Sequence, residues 1–195
     1  MAMFDTNISD TPEIYGQIVQ RSKEVGFTMP SDVYIGTLLK TLVASKPKGR
    51  FLELGTGLGL SLAWILDGMD AGSKVVSIDN DPKWVRIAQA YFEKDARLKL
   101  VCADVGKWLK TYSGEKFDLV FADAWPGKYS EIEEVLDLVK VGGFYVIDDM
   151  KAQPNWPYGH EGHVQDLVAY LERKRDFTLT KMDWSTGLVV AVRNK

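Results

Sequence analysis

From Gly49 onward the chain alternates short β-branched or aromatic runs with amphipathic stretches, and this alternation restricts the fold more than any single motif. Arg50 to Leu54, Lys74 to Asp79, Leu98 to Cys102, Phe117 to Ala122 and Gly143 to Asp148 predict strands. Between them, Leu60 to Asp67, Trp84 to Glu93, Val105 to Thr111 and Tyr129 to Val139 carry apolar residues at helical spacing, and Pro82 suits a first helical turn. Strands that alternate with helices pair in parallel, because each helix carries the chain back across the sheet. The expected fold is therefore α/β, with a doubly wound, mostly parallel sheet covered on both faces. The tail breaks the rhythm. A helix near Gly162 to Arg173 precedes Phe177 to Trp184 and Leu188 to Val192, with Ser185-Thr186-Gly187 between them, which predicts an antiparallel C-terminal hairpin at a sheet edge. Pro12 to Val25 and Asp32 to Ala44 read as two N-terminal helices. The 195 residues show no repeat, so one domain is expected, with a helical cap over 1–48 and an α/β core over 49–195.

Composition narrows the function classes. The net charge is -3 and the basic residues are scattered, so no electrostatic footprint for nucleic acid is visible. Cys102 is the single cysteine; it forms no internal disulfide, and its apolar run reads as a small buried hydrophobe. No apolar run approaches the about 20 residues that span a bilayer, and the polar, acidic start lacks a basic-then-apolar leader. A cytoplasmic protein without a membrane partner is expected; the N-terminal helices could make a homodimer contact.

Strand one runs into Glu53-Leu54-Gly55-Thr56-Gly57-Leu58-Gly59-Leu60-Ser61, where glycines permit a tight turn and let a ligand approach the backbone. Such a loop can also be a plain strand-to-helix connection. The dinucleotide fingerprint wants its third glycine at position 60, where Leu60 stands, so an NAD-dependent dehydrogenase is disfavoured. Asp79 ends the second strand 24 positions after Gly55, where a carboxylate can accept from both hydroxyls of a ribose, and Asn80 adjoins it. Asp104 ends the third strand; it reads equally as a helix N-cap. Polar groups at successive strand ends suit a ligand bound beyond the carboxyl edge of an open sheet.

From about Met29 to the C-terminus the sequence resembles the class I S-adenosylmethionine-dependent methyltransferases, and among them the catechol O-methyltransferase-like O-methyltransferases. The resemblance implies a seven-stranded sheet with a reversed last strand. It implies S-adenosylmethionine at Glu53 to Ser61, bound by Glu53, Gly55, Thr56, Gly59 and Ser61, with the loop's glycines under the methionine part and Ser61 reaching its carboxylate. Asp79 would hold the ribose and Asp104 would lie by the adenine. Met29, paired with Gly36, resembles the segment that folds over the cofactor, and Trp125 matches a family aromatic beside it.

Two further sites carry chemistry: Asp123-Ala124-Trp125-Pro126-Gly127-Lys128-Tyr129 after the fourth strand and Asp148-Asp149 after the fifth. Three carboxylates on adjacent strands suit Mg²⁺ or Ca²⁺; they could also cap helices or receive the cofactor's ammonium group. The resemblance implies a metal at Asp123, Asp148 and Asp149, although the family carries Asn at the third position. It also implies a general-base lysine three residues after Asp123, where this chain has Pro126. Lys128 could substitute if the loop bends, or be a solvated surface residue. His160 and His163 could serve, or open a surface helix. Trp125, Trp156, Tyr158 and Trp184 could wall a planar acceptor or pack as core and lid, the latter preferred for Trp184. The expected function is methyl transfer to a small hydroxylated acceptor, aromatic or not, with divalent metal assistance; Asp123 and Lys128 are the catalytic candidates. A metal-independent N-methyltransferase and a non-catalytic S-adenosylmethionine binder are the alternatives.

Overall fold

The computed structural model describes residues 8–153 and 156–195. In chain order the elements are α1 (Tyr15–Val25), α2 (Val33–Ala44), β1 (Arg50–Leu54), α3 (Leu60–Gly68), β2 (Lys74–Asp79), α4 (Pro82–Phe92), β3 (Leu98–Cys102), α5 (Val105–Thr111), β4 (Phe117–Ala122), α6 (Ile132–Asp137), β5 (Val139–Ile147), α7 (His160–Glu172), β6 (Phe177–Met182) and β7 (Leu188–Arg193). The described strands form one seven-stranded sheet in the order β3-β2-β1-β4-β5-β7-β6. The pairs among β1 to β5 are parallel, whereas β7 runs antiparallel to both β5 and β6. The strand order reverses between β1 and β4, which opens a crevice at their carboxyl ends. Because β7 opposes β5, the turn before β7 returns to that same edge.

The pleat divides the core. One layer gathers Phe51, Val75, Phe121 and Val146 with Ile18, Ile35, Leu39 and Trp64 from α1, α2 and α3. The other gathers Leu52, Leu54, Ile78, Val120 and Ile147 with Val105, Leu109, Val135 and Leu167 from α5, α6 and α7. Adjacent residues of one strand thus serve opposite layers, as the period of two requires. Gly36 lies in α2 against Trp64, whose Nε1 would sit 2.3 Å from an added Cβ. Its smallness serves helix packing and not the cofactor segment with which it was paired.

Three expectations shift. The fifth strand begins at Val139 and not Gly143: the register slips between Phe117 and Leu119, and Gly142, at φ 77°, sits in an irregularity within the strand. Correspondingly α6 is shorter than Tyr129 to Val139, because residues 125–130 fold into a tight turn. Cys102 is exposed: β3 is an edge strand, and only one of its sides is covered by a neighbour. No described helix is long and apolar enough to cross a membrane.

Candidate active site

At the end of β1, Gly55 takes φ 100°, and the amides of Gly55 and Thr56 donate to the Ile78 carbonyl on β2. A Cβ at Gly55 would lie 2.6 Å from the Asp123 carbonyl oxygen, so glycine lets this loop pass against the one leaving β4. Asp79 fixes the far side of the loop: its carboxylate accepts from the Gly57 amide at 2.8 Å and the Asp81 amide at 2.9 Å. Asp104 caps α5 by accepting from the Lys107 amide at 2.8 Å while it lines the same cleft.

That cleft, about 660 Å³, runs along the carboxyl edge of the sheet. It brings together Met29, Gly55, Thr56, Asp79, Asn80, Asp104, Asp123, Trp125, Lys128, Asp148 and Asp149. Glu53, Gly59 and Ser61 were expected at the cofactor but lie beneath the loop. Ser61 donates to Glu53 Oε1 at 2.6 Å, and Ser77 donates to Oε2. Glu53 has no exposed surface, and burial pushes its carboxyl up to about 7. Gly59 backs onto Phe92, whose Cε2 would stand 2.5 Å from an added Cβ. These residues shape the loop from below.

The other side of the cleft grows out of the turn after β4. Tyr129 N donates to Trp125 O at 2.9 Å and Gly127 N to Ser130 O at 2.7 Å, while the buried Tyr145 hydroxyl donates to Gly127 O. Gly127 holds φ 85°, with Leu54 Cδ1 only 2.3 Å from where a Cβ would be. This turn carries Lys128 inward, where it is 5% exposed, so the loop does bend and the solvated-lysine reading does not hold. Trp125, Tyr129, Trp156 and His160 form an aromatic wall: the Trp156 and His160 rings are 4.2 Å apart, and the Tyr129 hydroxyl lies 3.1 Å from His160 Nε2. His160 opens α7 as a helix start, but half-buried in the cleft; His163 is exposed. Tyr158 is exposed outside the wall, and Trp184 packs on the core beside Tyr34, as preferred.

The three acids do meet at the ends of β4 and β5. Burial raises Asp123 well above the usual carboxylate range, reinforced by the charge of Asp148. Asp148, 2% exposed, is pushed up to about 6 by burial and by Asp149, against a hydrogen bond from Thr186. Asp149, in the left-handed region at φ 53°, is raised by burial, and Lys128 opposes the rise. Burial, then Lys128 and His163, lower His160. The donor set does not fit a divalent ion: among the described residues no three carboxylate, histidine or cysteine side chains are arranged to hold a metal. A buried ammonium already faces these acids, and Thr186 and the Asp149 amide occupy Asp148 Oδ1. Asp123, Asp148 and Asp149, the residues expected to hold a metal, line the cleft together with Lys128, whose charge acts on all three.

Sequence reasoning missed Phe27, Trp84, Tyr129 and Thr186 as cleft residues. Phe27 and Trp84 meet edge to face at 5.1 Å, with Phe27 over Gly57. The reversed β7 held a signal for Thr186, since a strand antiparallel to β5 must bring its preceding turn to the carboxyl edge.

Comparison with known proteins agrees with this arrangement. A family model described as "Methyltransferase domain" matches residues 52–150. A Mycobacterium ulcerans protein named "Putative O-methyltransferase" is 30% identical over 180 residues, 87% of this chain and 79% of the relative. With other mycobacterial relatives the chain spans about half of their length. The O-methyltransferase TomG of Streptomyces achromogenes, solved with S-adenosylmethionine, superposes at a TM-score of 0.82, with 21% identity, 94% of this chain and 90% of that one covered. The O-methyltransferase of Bacillus cereus, solved with S-adenosylhomocysteine, gives 0.81 at 19% identity, covering 96% and 91%. The strand order, the glycine loop over Asp79 and the sequence match lead to one conclusion: the chain belongs to the methyltransferase domain family and has the class I fold of the S-adenosylmethionine-dependent O-methyltransferases.

Proposed function

We propose that the chain transfers a methyl group from S-adenosylmethionine to the hydroxyl of a small acceptor with a planar, aromatic body. The observation that carries this reading is the division of one cleft into two chemically different halves. The half made by Gly55, Thr56, Asp79, Asn80 and Asp104 offers a glycine-walled passage and fixed carboxylates, which suit an extended nucleoside-bearing ligand. The other half, walled by Trp125, Tyr129, Trp156 and His160, suits a flat ring. Its volume, about 660 Å³, falls in the usual range for small-molecule sites. The names of the mycobacterial relative and of the two superposed structures support oxygen as the receiving atom.

The bound cofactor supplies a sulfonium methyl: the acceptor oxygen bonds to its carbon as the carbon–sulfur bond breaks, leaving the electron pair on sulfur. The protein's part is positioning. Asp79 holds the ribose and keeps the glycine loop in register through Gly57. Asp123 in its carboxylate form receives the acceptor's hydroxyl proton, and burial and the charge of Asp148 make it a stronger base than an ordinary carboxylate. The aromatic wall orients the ring and excludes water. Calorimetry with S-adenosylmethionine, followed by transfer of its labelled methyl to phenols, catechols and arylamines, tests the reading. Saturable cofactor binding with label on oxygen supports it. Absence of binding refutes it, and label only on amines refutes its acceptor half.

A further inference from the structure

We propose that the Lys128 ammonium is the resident cation of the Asp123, Asp148 and Asp149 cluster: it stands where metal-dependent O-methyltransferases hold a divalent ion, and it holds the acceptor's oxygen. Lys128 is 95% shielded from solvent, yet among the described residues its ammonium makes no hydrogen bond and no ion pair. Its Nζ lies 5.2 Å above the Tyr129 ring, and it lines the cleft. A buried ammonium is costly unless charge or hydrogen bonds compensate it. Here the compensation comes from the three acids, each of which feels the lysine's charge. They compensate without contact, which leaves the ammonium's N–H groups free for a ligand atom in the cleft.

The turn leaves Lys128 little choice of place. Pro126 removes the family's lysine, and Gly127 takes a conformation closed to most residues. Tyr145, at 0% exposure in the sheet, anchors the Gly127 carbonyl. The residue after Gly127 is then carried inward, into the cleft that the acids line. A divalent ion entering the cluster would meet the repulsion of this ammonium. It would also find Asp148 Oδ1 already shared by Thr186 and a backbone amide. Lys128 donates one N–H to the acceptor oxygen, and its own proton stays on nitrogen while the acceptor's hydroxyl proton leaves to Asp123. The acceptor half of this inference rests on the methyl-transfer reading; the ion half does not.

The test titrates Mg²⁺ and Ca²⁺ chloride by calorimetry at pH 8 into the wild type and Lys128→Met, with circular dichroism as the check on folding. The wild type should take up neither ion at millimolar concentration. Lys128→Met should bind at least one of them at least tenfold more tightly, because the acids have lost their counter-charge. Ion binding by the wild type that Asp123→Asn abolishes overturns the inference, as does a folded Lys128→Met with no gain. If Lys128→Met does not fold, the wild type and the charge-preserving Lys128→Arg decide: both must stay ion-free, and uptake by either refutes the idea. None of these readouts needs a methyl acceptor, so their failure is separate from failure of the transfer reading. For the acceptor half, Lys128→Met should lower kcat/KM for catechol at least tenfold with S-adenosylmethionine affinity unchanged; retained kcat/KM overturns it.

Discussion

Asp79 gives the sharpest test of the donor side, because it holds the glycine loop and, in the proposed function, the ribose as well. Its carboxylate accepts from two backbone amides, Gly57 at 2.8 Å and Asp81 at 2.9 Å. Each carboxylate oxygen has a second lone pair left for a ribose hydroxyl. Asp79→Ala removes both kinds of bond at once. A hydrogen bond to a charged group contributes about 1.5–3 kcal/mol. One lost ribose contact should therefore weaken S-adenosylmethionine by at least about 1.5 kcal/mol, roughly tenfold in Kd. Stability should fall by about 1–2 kcal/mol, at the lower end because both amides lie on the rim of the cleft, where water can replace the carboxylate. Calorimetry with S-adenosylmethionine and with S-adenosylhomocysteine separates ribose binding from charge attraction: the two ligands share the ribose, and only the first carries the sulfonium. Equal losses are expected. A folded Asp79→Ala protein whose Kd is within twofold of wild type refutes the ribose assignment. A loss confined to the sulfonium ligand would show that Asp79 acts through its charge.

Gly55→Val should abolish S-adenosylmethionine binding and lower the melting temperature together, since its Cβ would strike the Asp123 carbonyl at 2.6 Å; normal binding and melting would make the loop a tolerant connector. Gly127→Ala, at φ 85° and against Leu54, should cost about 1–3 kcal/mol in urea unfolding; an unchanged midpoint would refute the enforced turn. Glu53 is raised from 4.5 to about 7 by burial, so the folded chain retains a proton there that the unfolded chain has lost, and this group's contribution to stability falls as pH rises from about 4.5 to 7. The shift corresponds to about 3 kcal/mol at most, and Glu53→Gln should reduce the slope between pH 5 and pH 8, leaving the part that the raised Asp148 and Asp123 contribute; a slope unchanged from wild type would show that burial does not raise Glu53.

The parts of the fold legible in the sequence are those set by local pattern. Arg50–Leu54, Lys74–Asp79, Leu98–Cys102 and Phe117–Ala122 fall where period and β-branching place them. The glycine loop and Asp79 are legible for a related reason: their spacing follows from one strand-turn-helix unit and the strand beside it. The pair Gly142-Gly143 misled because paired glycines look like punctuation, whereas pairing with β4 continues past them to Val139. Cys102 misled because an apolar run says nothing of whether its strand is central or at an edge.

The acceptor side was less legible because it depends on where a turn throws its side chains. Lys128 reads as a surface residue by type, since lysine is almost never fully buried unless paired. What overrides the type is spread across the chain: Gly127 closes the turn, Tyr145 from β5 anchors its carbonyl, and the acids of β4 and β5 supply the compensating charge. Thr186 reaches the same cluster from the turn before β7, and Ser185 beside it donates to Asp32, the cap of α2. Each of these residues alone has an ordinary reading as a turn, core or cap residue. Only the sheet order, which sets β4, β5 and β7 side by side, makes them one site. The glycine loop comes from one local motif, whereas the other half of the cleft is assembled from residues of three separate segments.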